Sequence, residues 1–175
     1  MLQLSAALMD QPVLSLRTGG QVAVASEPII NPDNLKVEGF YCVDRFENKT
    51  LILLAQDIRD SFKQGLVVND HEVLVGPEEL VRLLPVIKLK FALLGKPVFT
   101  VNKQRLGKVS DYAVDDIALF VQKLYVSQSI IKSFSGGNLS IDRGQIVEIT
   151  DRKIVVQDPL RGVKSAVPAP ATPTA

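Results

Sequence analysis

The two halves of the chain repeat one pattern of residues, and this repetition limits the possible architecture more than any other feature. Residues 53–62 align without a gap with residues 125–134, and Gln, Ile, Ser and Phe coincide at four positions. Residues 65–69 then align with 138–142 after one inserted residue, and residues 20–24 align with 95–99 upstream. Self-similarity over this length predicts one fold used twice.

Within each half, apolar and polar residues alternate with a period of two in runs too short for helices. The first half has such runs at residues 21–24, 36–40, 50–54, 66–68 and 72–75. The second half has them at residues 97–101, 108–114, 118–126, 139–141, 146–150 and 153–156. Many short strands separated by turn residues predict a small barrel or sandwich.

A short helix is predicted over residues 78–84, because proline is tolerated in the first turn and acids favour a helix N-terminus. Pro85 is expected to end it. We divide the chain into an N-terminal arm (1–11), a first barrel unit (12–85), a connector (86–92), a second unit (93–158) and a tail (159–175). The tail is rich in alanine and proline and is expected to be disordered.

Charge is distributed unevenly behind a net charge of +1. Residues 1–88 carry 8 Lys+Arg against 12 Asp+Glu, a net of −4, whereas residues 89–175 carry 12 against 7, a net of +5. Cys42 is the only cysteine and cannot form an intrachain disulfide, which favours a reducing compartment, so we expect a cytoplasmic protein. No stretch has the roughly 20 apolar residues of a membrane span, so no membrane insertion is expected.

Three segments of each half carry a resemblance to a known family. They are a strand that begins with glycine (20–25 and 95–101), a central strand running into a polar turn (51–58 and 124–130) and a closing hairpin. Residues 105–112 also look like a "G-K-V-x-D" hairpin, whereas residues 28–39 form a longer loop in the first half. This pattern resembles the PRC-barrel family, found in the photosynthetic reaction centre H subunit and in a bacterial ribosome-maturation factor.

The resemblance implies an all-β protein of two tandem small PRC-type β-barrels, with one or two short helices and the disordered Pro/Ala-rich tail. The family is not characteristically enzymatic and is associated with assembly or docking onto larger complexes. It therefore implies a protein partner and no cofactor. Because fold alone does not settle activity, the residues must be weighed separately.

The side chains needed for catalysis are absent or badly spaced. His71 is the only histidine and lies in a polar turn, so a Ser-His-Asp relay has no other base and a zinc site would rely on carboxylates and water. Glu78 and Glu79 are adjacent and do not face one another on a helix. Asp115-Asp116 suits a tight turn, although paired acids can also attract a divalent cation. We expect no catalytic, metal or cofactor site, and an enzyme would need convergent titratable groups.

Two segments are candidates for partner binding. The first is the loop that contains Pro28, Ile29, Ile30, Asn31 and Pro32, because a modified loop on a barrel presents a distinct surface. It favours protein–protein docking, and the opposite charges of the halves also allow a homodimer.

The second segment is the basic hairpin with Lys103, Arg105 and Lys108, which can contact phosphates. It supports the alternative of an RNA- or ribosome-associated maturation factor, which the maturation-factor resemblance also suggests. Against it, acids follow closely and no exposed aromatic residues are interleaved.

Overall fold

The computed structural model of the chain describes residues 1–128 and 138–159. These residues are mostly β-strand, with one α-helix, α1 (Leu84–Leu89). The strands are β1 (Leu2–Leu4), β2 (Gln11–Ser15), β3 (Gln21–Ile30), β4 (Val37–Asp44), β5 (Thr50–Leu54), β6 (Ile58–Phe62), β7 (Gly65–Val68), β8 (Pro97–Thr100), β9 (Arg105–Asp115), β10 (Val121–Ser127), β11 (Leu139–Asp142), β12 (Ile146–Ile149) and β13 (Ile154–Val156).

Both halves have the same sheet topology. The first sheet has the order β5-β4-β3-β2-β7-β6 and the second has the order β11-β10-β9-β8-β13-β12. In each, one central pair is parallel, β2 with β7 and β8 with β13, and the other pairs are antiparallel. Each sheet curls into a half-barrel, with short 3-10 turns at Ala55–Asp57 and Arg143–Gln145 before the edge strands. The prediction of an all-β chain made of two similar units is confirmed.

The β-bulges show which residues of the two units are equivalent. Strand pairing skips Val22, Ser26 and Glu38 in the first sheet. It skips Leu106, Ser110 and Gln122, each 84 positions later, in the second. The Ser26 hydroxyl donates to the Tyr41 carbonyl at 3.0 Å, and the Ser110 hydroxyl donates to the Tyr125 carbonyl at 3.1 Å. Corresponding residues of β3–β4 and β9–β10 therefore lie 84 positions apart.

This register shows that the predicted alignment of the halves was wrong. It matched the end of β5 with the end of β10, β7 with β11, and β3 with β8, which are not equivalent strands. A buried strand followed by a polar stretch occurs several times in each unit, so the shared letters aligned neighbouring strands instead of equivalent ones. Residues 129–137, including Ser133 and Phe134, and the tail from residue 160 lie outside the described residues.

Several element predictions also need correction. Residues 72–75, predicted as a strand, contain a 3-10 turn at His71–Val73, and only Val75 forms a β-bridge, with Ile52. The helix predicted over 78–84 is a 3-10 turn at Pro77–Glu79, and α1 begins at Leu84. Pro85 lies in the first turn of α1 instead of ending a helix, because that position needs no N–H donor. Strands β1, β2 and β6 were not predicted.

The two units are joined at their hairpin turns and share one hydrophobic core. The backbone N–H of Val37 donates to the Leu119 carbonyl at 2.7 Å, and the N–H of Val121 donates to the Leu35 carbonyl at 2.9 Å. Buried side chains of both units form a single cluster. Strand β1 crosses over and pairs with β9 of the second sheet. The described residues contain no helix long and apolar enough to cross a membrane.

Candidate functional site

The predicted loop at Pro28 to Pro32 is mainly strand. Pro28, Ile29 and Ile30 are the last residues of β3, where they pair with β4. Ile29 and Ile30 are buried, at 3% and 5% exposure, and Ile30 belongs to the shared hydrophobic core. Asn31 and Pro32 begin the turn to β4 and are half-buried. The expectation of a long presented loop is therefore wrong, because the residues that lengthen it belong to the sheet.

The basic residues lie elsewhere, around the hairpin between β8 and β9. Lys103 is in the turn, and Arg105 and Lys108 are on β9. All three are exposed, and none forms an ion pair within the described part of the chain. The structure does not bring them together with Pro28–Pro32 in a shared cleft.

A second internal match, which the sequence analysis missed, relates the segments that precede each barrel. Residues 2–15 align with residues 87–100 at a spacing of 85, and Leu4, Ala7, Leu8, Pro12 and Val13 are identical to their counterparts. Leu8 and its counterpart Leu93 are both buried. Ser15 and its counterpart Thr100 are buried hydroxyls. The predicted arm (1–11) and the predicted connector are thus equivalent segments of the repeat.

These equivalent segments fold differently. Residues Leu2–Leu4 form strand β1 on the edge of β9, whereas residues 87–89 are part of α1. The N–H of Asp116 donates to the Met1 carbonyl at 3.0 Å at the end of this pairing. In the first unit, Pro32 stands at the position of Asp116 and Pro28 at that of Tyr112. Because proline has no N–H, this edge of β3 offers fewer donors to a strand, and the linker crosses it as a helix.

A cleft of about 470 Å³ lies where the linker crosses β3, and we call it the linker cleft. Its walls include Glu27 and Ile30 of β3, Tyr41 of β4, and Ile87 and Phe91 of the linker. Burial, with a smaller effect of the Glu27 charge, raises the pKa of Tyr41 above its usual value. The Tyr41 hydroxyl therefore remains a neutral hydrogen-bonding group at physiological pH.

The linker, residues 80–94, exposes apolar surface beside the cleft. It has no acidic residue. Of its apolar side chains, Leu93 alone is buried, while Val81 and Leu89 are 78% and 57% exposed. Arg82, Lys88 and Lys90 are also exposed, and none has an ion-pair partner among the residues that the structure describes. The result is a cationic, partly apolar surface next to a preformed cavity.

The other chemically active side chains have structural partners. The Asp44 carboxylate lies 2.6 Å from His71 Nε2 and accepts the Glu47 N–H at 2.7 Å, which ties two turns together. Burial raises the pKa of the Cys42 thiol to about 12. In the described ranges, no group of three or more His, Cys, Asp and Glu side chains is placed to hold a metal ion.

No protein-family model matches the chain, and no curated protein matches its sequence.

Proposed function

We propose that this chain is a non-catalytic docking module of the cytoplasm, built from two PRC-type barrels, which binds an apolar and acidic segment of a protein partner at the linker. The observation that carries the proposal is the composition of the linker surface. Apolar side chains and three cations are exposed there beside a cleft of about 470 Å³.

The physical case rests on desolvation and on charge. Covering exposed side chains such as Val81 and Leu89 removes apolar area from water, which stabilises a complex by about 25 cal/mol per Å² before the entropy of association is subtracted. Arg82, Lys88 and Lys90 are not neutralised within the described residues, so a partner with carboxylates beside its apolar groups would complement them. A cavity next to an apolar surface suits an anchoring side chain.

Site-specific photo-cross-linking tests this proposal. A photo-reactive phenylalanine analogue replaces Leu89 in the linker or, as a matched control, Val147, which is 55% exposed on the edge strand β12. In native cell extract, the Leu89 probe should yield a discrete adduct that excess unlabelled chain competes away. The double variant Lys88→Glu, Lys90→Glu should lose the adduct. The same adducts at both positions, or adducts indifferent to the charge reversal, would contradict docking at the linker.

RNA binding is the second candidate, because Lys103, Arg105 and Lys108 are exposed and unpaired within the described residues. For an electrostatic contact of this kind, the logarithm of the binding constant falls linearly with the logarithm of the salt concentration. The slope is roughly −0.7 to −0.9 per phosphate neutralised. Filter binding of ribosomal RNA at several salt concentrations should show that slope, and the triple change to Glu should remove it. Binding without such a slope would exclude a phosphate-contacting hairpin.

A further inference from the structure

The second unit shows how a chain segment is held beside β9. Leu2–Leu4 pairs with Ala113 to Asp115, and the next residue, Ser5, turns toward Asp111. The Ser5 hydroxyl donates to Asp111 Oδ1 at 2.6 Å, and the Ser5 N–H donates to the same oxygen at 3.2 Å. A carboxylate with two donors from one serine thus fixes the end of an extended segment.

The first unit has a carboxylate at the equivalent position of β3, on a glutamate instead of an aspartate. The spacing of 84 places Glu27 at the position of Asp111, and Ile29 to Asn31 at the positions of Ala113 to Asp115. The side chain of Glu27 lines the linker cleft and is exposed, and its carboxylate has no hydrogen bond or ion pair among the described residues. The linker residue at the position of Ser5 is Lys90, which ends α1 in a left-handed conformation instead of bonding to Glu27.

We propose that the linker cleft binds an extended segment of the partner protein that carries a serine or threonine for Glu27, in the manner in which the second unit holds residues 2–5. This inference rests on the docking function proposed above and specifies the conformation of the bound segment and the side chain that Glu27 recognises. Pro28 and Pro32 keep their carbonyl oxygens but have no N–H, so recognition relies on the guest's own N–H donors and on Glu27. The chain's own β1 is already paired with β9, which favours a segment from another protein over a second copy.

An NMR titration tests the inference with a defined probe. The probe is the acetylated and amidated peptide Leu-Gln-Leu-Ser-Ala-Ala-Leu, which has the sequence of residues 2–8. When it is added to the full ¹⁵N-labelled chain, saturable shifts are expected at the amides of Glu27, Ile29, Ile30 and Asn31. Replacing the peptide serine by alanine, or introducing Glu27→Gln, should each weaken binding about 10-fold, because a charge-assisted hydrogen bond is lost.

Glu72→Gln is the matched control, since Glu72 is exposed and does not line the cleft. It should leave the peptide affinity unchanged. Shifts confined to Ala113 to Asp115 would mean that the peptide only replaces β1, and affinity that ignores Glu27→Gln would remove the carboxylate from the site. Either result overturns the inference. Cleft shifts that appear with rising chain concentration and no peptide would overturn it in favour of a second copy.

The two proposals fail separately. If the peptide does not bind but the cross-link from Leu89 persists, docking at the linker is supported. The inference that the partner binds as an extended segment through a serine or threonine is then rejected. If the peptide binds at Glu27 but the Leu89 adduct is absent, the cleft accepts extended segments and the linker surface is not the docking surface.

Discussion

The carboxylate of Asp44 shows how single side chains fix the turns around the barrels. Its side chain is 2% exposed and bonds both to the Glu47 N–H and to the His71 ring. Burial by itself would raise the pKa of Asp44. The hydrogen bonds from the Glu47 backbone and from His71 outweigh that effect, so the pKa lies below its usual value.

Acid should therefore weaken the protein through Asp44. A carboxyl group whose pKa is lowered by folding adds stability above its unfolded-state pKa of roughly 3.9, and loses that contribution as the pH falls through the folded value. We expect Asp44→Asn to have a smaller loss of unfolding free energy than the parent chain between about pH 5 and pH 2. Urea denaturation at a series of pH values measures this. Parallel curves for the two proteins would contradict it.

Gly107 occupies a position that no larger residue can fill. Its φ is +153°, and a Cβ atom there would lie 1.9 Å from the Ser127 carbonyl oxygen on the neighbouring strand. Gly107→Ala should destabilise the chain by about 3 kcal/mol, because both backbones must separate. Gly144→Ala is the control, since a Cβ there meets nothing within 4 Å. Thermal unfolding compares them, and equal midpoints would show that the strands can move apart freely.

At the scale of elements, the β3–β4 turn of the first unit and the β9–β10 turn of the second have the same construction, and they contact each other. Each begins with an Asx residue, Asn31 or Asp115, whose side chain accepts a backbone N–H two positions later. Each then places a leucine, Leu35 or Leu119, in the left-handed region, at φ of 58° and 55°. The carbonyls of these leucines accept the hydrogen bonds that join the units. The junction therefore consists of two copies of one turn type, related by approximate two-fold symmetry, and the leucine carbonyl of each accepts a hydrogen bond from the other unit.

Truncating a turn leucine should test this junction. Leu35 is 4% exposed, and Leu35→Ala should cost about 2 to 4 kcal/mol of unfolding free energy because it leaves a cavity in the shared core. Leu16→Ala is the control, because Leu16 is 63% exposed and should change stability by less than about 0.5 kcal/mol. Chemical denaturation gives both values. A small effect at Leu35 would mean that the turns touch without contributing stability.

The elements also show what could be predicted from sequence. Strong alternation located β4, β5 and β9, because half-buried strands leave a period of two. Strand β6 was missed because four of its five residues are exposed and a register shift interrupts it. The linker cleft was missed because Glu27 is informative only when it is matched to Asp111. The identical pairs Ser26/Ser110, Leu35/Leu119 and Tyr41/Tyr125 were the available signal for that register.

At the scale of the whole molecule, the units share a core instead of standing side by side. Phe40 and Leu53 of the first unit belong to the same buried cluster as Leu124 and Ile141 of the second. Arg143 adds a hydrogen bond to the Asn34 carbonyl at 2.9 Å and lies over the Phe120 ring. Small barrels have marginal cores when isolated, so the shared cluster supplies what each lacks.

The full chain should consequently unfold in one transition. Tyr41 reports on the first unit and Tyr112 and Tyr125 on the second, so NMR of the tyrosine rings follows both during urea titration. We expect coincident midpoints, and Leu35→Ala should shift both together. Two separated midpoints would show that the barrels are thermodynamically independent.

The crossing of β1 into the second sheet also bears on the order of events during synthesis. Ser5 and Asp111 are separated by 106 positions, so β1 is synthesised long before its partner strand β9 exists. Domains generally fold as units as the polypeptide emerges. Here β1 can pair only after β9 has been synthesised, and a nascent chain stalled before β9 would expose an unpaired β1 to chaperones.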